Sequence, residues 1–153
     1  ICIDNLESDT LQSDKIYKEY FNVLDNNCTE IDIANCIDLG PILITFAALK
    51  NGAKFINTSR LKIKESDRGT VISEELKKCG ANIEIFDNEI YVNKTTLSEP
   101  TNNLSAHNDH RIAMALSLLS TQFNITIEGT ECVKKSYPNF FEDLKKLGAK
   151  CHE

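Results

Sequence analysis

The sequence predicts an α+β fold built from repeated units, and three observations predict it. Helical and strand periodicities alternate along the 153 residues. An apolar helix opened by an aspartate, a short strand, a basic turn and a second helix follow one another in that order twice. The two second helices also end alike, in Glu75-Leu76-Lys77-Lys78-Cys79-Gly80-Ala81 and Asp143-Leu144-Lys145-Lys146-Leu147-Gly148-Ala149.

In chain order, Ile1-Cys2-Ile3 reads as a strand and Asp4 to Leu11 as a polar stretch. Ile16, Tyr17, Tyr20, Phe21 and Leu24 have helical spacing across 14–24, with Ser13 placed to cap. Ile31 and Ile33 flank Asp32 in a short strand. Asp38 opens a helix with Pro41 in its first turn, where a missing N–H costs nothing. Residues 42–49 are apolar almost all round, which predicts burial, and Asn51-Gly52 ends them. A strand over 53–57 leads to the basic run Arg60–Arg68, and a helix over 66–79 stops at Gly80. Strands over 82–86 and 89–92 flank Asp87-Asn88 as a hairpin. The polar segment 94–105 is a loop with room for one short strand. Asn108-Asp109-His110-Arg111 opens the next apolar helix, 125–127 is a strand, Cys132–Pro138 is the second basic turn, and a last helix runs from 138 to 147. Asp14 and its helix read as the tail of an earlier copy.

Composition narrows the function classes. With 41% hydrophobic and 26% charged residues the chain is globular and soluble, and no apolar run is long enough for a membrane span. The net charge of −6 argues against nucleic acid, so the local basic clusters serve a small anion. The six cysteines show no CxxC spacing and the three histidines add no metal-ligand pattern. They read as reduced core cysteines of a cytoplasmic protein. The chain starts at Ile1 and its single methionine is Met114, so the expectation is a piece of something longer.

The chemistry concentrates where loops meet helix starts. Arg60-Leu61-Lys62-Ile63-Lys64-Glu65-Ser66-Asp67-Arg68 places four cations and two carboxylates beside free backbone N–H groups, a setting suited to an anion. Glu65 has no place in a pure anion site, but it fits one that also moves a proton. Taken alone, the run reads as solvated charges opening a surface helix, Asp38 and Asp109 read as caps, His110 as a structural histidine, and Lys134-Lys135 as a solvated pair. The repeat changes that balance, because equivalent turns of repeated units face one side. Arg68, Arg111 and Lys135 would then meet phosphate and carboxylate oxygens, with Glu65 and Asp38 as acid or base.

Three runs carry a resemblance. Lys64-Glu65-Ser66-Asp67-Arg68, Asn108-Asp109-His110-Arg111-Ile112-Ala113-Met114-Ala115 and Cys132-Val133-Lys134-Lys135-Ser136-Tyr137-Pro138-Asn139-Phe140-Phe141, together with Asp38-Leu39-Gly40-Pro41, resemble the C-terminal part of the 5-enolpyruvylshikimate-3-phosphate synthase family, from about residue 14 to the end. The resemblance implies two similar domains of β-α-β-α-β-β repeats that close on their substrates. This chain would be a C-terminal domain fragment over 1–153, with a partial repeat at about 1–34 and repeats at about 35–105 and 106–153. It implies transfer of the enolpyruvyl group of phosphoenolpyruvate to the 5-hydroxyl of shikimate 3-phosphate, with phosphate released and no metal or organic cofactor. The missing N-terminal domain would be the essential partner, the protein a monomer, and this piece inactive by itself.

The resemblance also implies roles. Asp38 matches the base near the 5-hydroxyl and Lys64 a lysine beside the same substrate. Glu65 matches the residue that shuttles a proton at the methylene carbon. Arg68, Arg111 and Lys135 match the cations on phosphoenolpyruvate, with Lys135 also protonating the leaving phosphate, and His110 shapes the site. Two other readings stand beside this one: the sister enolpyruvyl transferase acting on UDP-N-acetylglucosamine, and a non-catalytic module for phosphorylated ligands.

Overall fold

The computed structural model describes residues 11–152, so the strand expected at 1–3 lies outside the described residues. The chain opens with a 3-10 turn, Ser13–Ile16, and helix α1, Tyr17–Asn26. Gln12, not Ser13, stands at the cap position, and no side chain caps the turn. Strand β1, Thr29–Asp32, is followed by a 3-10 turn, Ile37–Leu39, and helix α2, Gly40–Leu49. Strand β2 is Ala53–Ile56, and the 3-10 turn Ser59–Ile63 leads to helix α3, Arg68–Lys77. Strands β3, Asn82–Ile85, and β4, Glu89–Asn93, form the expected hairpin, closed by Phe86 N–H donating to the Glu89 carbonyl at 2.8 Å. Strand β5, Leu104–Ser105, helix α4, His110–Ser117, strand β6, Ile127–Glu128, the 3-10 turn Thr130–Lys135 and helix α5, Phe140–Lys146, complete the order.

One sheet runs in the order β1-β2-β4-β3, with β1 parallel to β2 and the other pairings antiparallel. Its elements, β1-α2-β2-α3-β3-β4, make one β-α-β-α-β-β unit. β1 belongs to this unit through its ladder with β2, although the expected boundary near residue 35 assigns it to the preceding partial copy. A second, parallel pair, β5 and β6, with α4 between its strands and α5 after them, begins the next unit. Leu104 opens that unit two residues before the expected boundary near 106.

The repeat extends to hydrogen bonds. After α3, Gly80 N–H donates to Lys77 O at 3.0 Å and Ala81 N–H to Leu76 O at 3.2 Å. After α5, Gly148 N–H donates to Lys145 O at 2.9 Å and Ala149 N–H to Leu144 O at 3.2 Å. Gly80 and Gly148 have φ of +84° and +103°, the left-handed conformation this helix end requires. Matching sequence thus produces matching backbone.

Helix α2 is the centre of the core. Gly40, Pro41, Leu43, Ile44, Thr45, Ala47 and Ala48 are buried, as its all-round apolarity predicts. It packs against α1, α3 and α4, and Phe21 of α1 meets Phe46 edge to face at 4.8 Å. Ile31, Phe55, Ile83, Ile90 and Val92 cover the inner face of the sheet. Cys36, Cys79 and Cys132 are buried as expected, whereas Cys28 is exposed. No helix among the described residues is long and apolar enough to cross a membrane.

Candidate functional site

The mutual packing of α2, α3 and α4 brings their N-terminal ends together, and with them the charged runs. Asp38 lies in the 3-10 turn before α2, Lys64 and Glu65 lie in the loop before α3, Arg68 is the first residue of α3, and Arg111 is the second of α4. Three helix starts share one small volume, so three positive dipole ends point toward it.

Arg68 is the hub, with only 1% of its surface exposed. Its Nε donates to Asp109 Oδ2 at 2.7 Å and its Nη1 to Asp38 Oδ1 at 2.8 Å. Nη2 donates to Glu65 and, at 3.3 Å, to Asp109 Oδ1. Asp38 also receives Lys64 Nζ at 3.0 Å and Arg111 Nη2 at 3.1 Å, and its backbone carbonyl accepts from Arg111 Nη1 at 3.2 Å. Lys64, Arg68 and Arg111 thereby face Asp38, Glu65 and Asp109 in one network of alternating charge. Asp67, rather than Ser66, caps α3 by accepting from Thr70 N–H at 3.1 Å, and the Ser66 hydroxyl donates to Asp109 at 3.0 Å.

From sequence Asp109 reads as a helix cap, and the structure gives it a second role. It does cap α4, accepting from Arg111 N–H at 2.9 Å, but it is fully buried and is the principal counter-ion of Arg68. Its lone-pair count was the available signal: one carboxylate can cap and pair at once. Asp38, in contrast, makes no capping bond.

Lys135 stands apart from this network. It ends the 3-10 turn that packs against α4 through buried Cys132 and Val133, and its Nζ reaches Asn108 Oδ1 at 3.4 Å. His110 starts α4, and its Nδ1 is buried without a hydrogen-bond partner among the described residues. Beside the network lies an open cavity of about 300 Å³. Asp38 and Arg111 form its charged end, and Leu39, Pro41, Met114, Tyr137 and Phe140 are among its apolar walls.

Burial by itself would raise the Asp38 carboxyl, but the Lys64 hydrogen bond and the Arg111, Lys64 and Arg68 charges outweigh it and hold the group below the usual carboxylate range. Burial opposes ionisation of Asp109 too, and the Arg68 and Arg111 N–H bonds, the Arg68 charge and Ser66 reverse it. Groups depressed in the folded state stabilise it above their unfolded pKa, and that stability disappears as pH falls through the folded pKa. We expect thermal stability to be level from neutral pH down to about pH 5 and to fall below about pH 4, the ordinary aspartate range. A pH series of melting midpoints checks this, and a midpoint that holds steady through that acid range contradicts it.

Fold and site together define a repeat-built α+β domain with a balanced charge network gathered at helix starts. A family model described as EPSP synthase (3-phosphoshikimate 1-carboxyvinyltransferase) matches residues 5–144. The chain belongs to that family. It is 40% identical over 168 aligned residues to the 3-phosphoshikimate 1-carboxyvinyltransferase of Clostridium kluyveri, covering 97% of this chain and 39% of the relative. The protein of the same name from Clostridium acetobutylicum is 46% identical over 127 residues, covering 80% of this chain and 29% of its own length. A solved EPSP synthase from Acinetobacter baumannii superposes with a TM-score of 0.69 at 30% identity, over 77% of this chain and 28% of that one. The chain therefore spans about two-fifths or less of the relatives it matches.

Proposed function

We propose that the full-length protein containing this chain transfers the enolpyruvyl group of phosphoenolpyruvate to the 5-hydroxyl of shikimate 3-phosphate, and that this chain is most of its C-terminal domain. The observation that carries the reading is the convergence of Asp38, Lys64, Glu65, Arg68 and Arg111 at three helix starts beside the cavity. The shikimate name borne by the relatives favours this substrate over a UDP-sugar. In this reading the protein is a cytoplasmic monomer that uses no cofactor.

The charge network accounts for the chemistry. Arg111, Lys64 and Lys135 are the cations nearest solvent, and they take the carboxylate and phosphate of the incoming anion. The Glu65 carboxylate occupies Arg68 Nη2, where a substrate carboxylate fits. Displacement by that carboxylate takes Glu65 off its cation; it picks up a proton from solvent and, as the neutral acid, gives that proton to the methylene carbon as the 5-hydroxyl oxygen bonds to the adjacent carbon. Asp38 accepts the hydroxyl proton. With Lys64 and Arg111 bound to it, Asp38 is a weak base. Drawing both cations onto the substrate raises its basicity at the moment it is needed. The methyl group then returns a proton to Glu65, the C–O bond to phosphate breaks, and Lys135 protonates the departing phosphate. His110 shapes this site from the first turn of α4.

The test is phosphate release from the two substrates, by this chain alone and by this chain joined to its natural upstream sequence. We expect release by the joined protein only. Release by neither would overturn the assignment, and release by the chain alone would overturn the need for a second domain.

A further inference from the structure

A second buried acid, Glu75, lies outside the proposed reaction. It is on α3 two turns after Arg68 and is 2% exposed. Its Oε2 accepts Lys78 Nζ at 2.7 Å and the backbone N–H of Ser105 at 2.9 Å, and its Oε1 lies 2.8 Å from His107 Nε2. Lys78 continues to the Asn103 carbonyl at 3.2 Å. One buried carboxylate thus ties α3 to the whole approach to Asp109.

That approach is conformationally unusual. His107 and Asn108 have φ of +49° and +56°, two left-handed residues in succession without a glycine. Such residues persist where their surroundings fix them. The fixing bonds are His107 N–H to Ser105 Oγ at 3.2 Å, His107 to Glu75, and Asp109 N–H to the Ala106 carbonyl at 2.9 Å. The turn does two things for the site. It delivers Asp109 to Arg68 as the cap of α4, one residue before His110 and two before Arg111. It also aims the Asn108 amide oxygen at Lys135. The turn thus lies between the two cations in space: Arg111 follows it in α4, and Lys135 reaches back to it from the 3-10 turn Thr130–Lys135.

We infer that Glu75 and His107 form a positioning pair that holds the 107–108 turn and thereby sets the spacing of Arg111 and Lys135 for a doubly anionic ligand. This inference rests on the proposed function for the identity of that ligand. His107 is exposed, so its replacement leaves a folded protein, and Gln retains an N–H at comparable reach whereas Leu has none.

The experiment measures phosphate release by the full-length protein against phosphoenolpyruvate concentration for His107→Leu and His107→Gln. We expect His107→Leu to raise KM about tenfold and, because Lys135 also protonates the departing phosphate, to lower kcat by a smaller factor, and His107→Gln to restore both to within about twofold of the unsubstituted protein. Equal behaviour of the two variants, or a lower kcat with KM unchanged, overturns the pairing. An unsubstituted protein without turnover overturns the proposed function instead. The pair is then read from thermal protection by inorganic phosphate: weaker protection in His107→Leu than in His107→Gln supports it, and equal protection overturns it.

Discussion

Asp109→Ala is expected to destabilise the protein by about 3–5 kcal/mol, the range for breaking a buried ion pair from one side. Asp109 is fully buried and Arg68 is 1% exposed, so the substitution leaves a guanidinium in the interior without its main partner. Asp38 and Glu65 remain on Arg68, but each is also partly exposed, and Asp38 is shared with Lys64 and Arg111. The cap of α4 and the Ser66 bond disappear at the same time. Because a domain of this size is stable by about 5–15 kcal/mol, the loss takes a large part of the total. Urea denaturation with an unchanged m-value measures it. A change under about 1 kcal/mol would mean that Asp109 is an ordinary cap and that Arg68 is satisfied without it. Asp109→Asn separates the two roles, since Asn caps equally well but carries no charge.

The elements legible in the sequence were those with strong local signals. The all-apolar helix after Asp38 has one physical outcome, burial, and it is buried. The two glycine-ended helices share residues, and share hydrogen bonds for that reason. The hairpin at Asp87-Asn88 follows from two alternating runs around a two-residue turn. Ser13 misled because propensity at a cap is weak when the first turn is 3-10 and a different residue takes the position. Helix limits shifted for the same kind of reason: Asp67 and Ser66 are both able to cap α3, and packing against Asp109 decides which does.

The charged cluster was legible as a list and not as a network. Repetition indicates that turns share a side, which brought Asp38, Glu65, Arg68 and Arg111 into one group. It carries no information on which carboxylate meets which cation. Arg68 reads in sequence as a ligand-facing cation, whereas the structure surrounds it with acids. Glu75 and His107 were invisible as partners because they are 32 residues apart and lie in different units. Lys78 is a local partner three residues on, but nothing local marks the two that come from another strand and loop, Ser105 and His107.

Glu65→Ala in the full-length protein is expected to lower kcat by about 10²–10⁴, the usual contribution of a positioned general acid or base, with the protein still folded. The fold tolerates the change because Glu65 is half-exposed at the edge of the network, and Arg68 keeps Asp109 and Asp38 when it goes. Removing Glu65 also leaves the cations less neutralised, so the site gains positive charge and anion binding does not weaken. The expected signature is therefore a large fall in kcat with KM for phosphoenolpyruvate unchanged or lower. Glu65→Gln distinguishes proton transfer from hydrogen bonding, because the amide still meets Arg68 Nη2 through its oxygen but has no carboxyl proton to give. Both substitutions should be comparably inactive. A Glu65→Gln protein near full activity would mean that Glu65 only orients Arg68, and the proton at the methylene carbon would have to come from another group. Steady-state kinetics on the two variants, read beside their melting midpoints, decides between these roles, because a positional loss lowers stability and a lost proton does not.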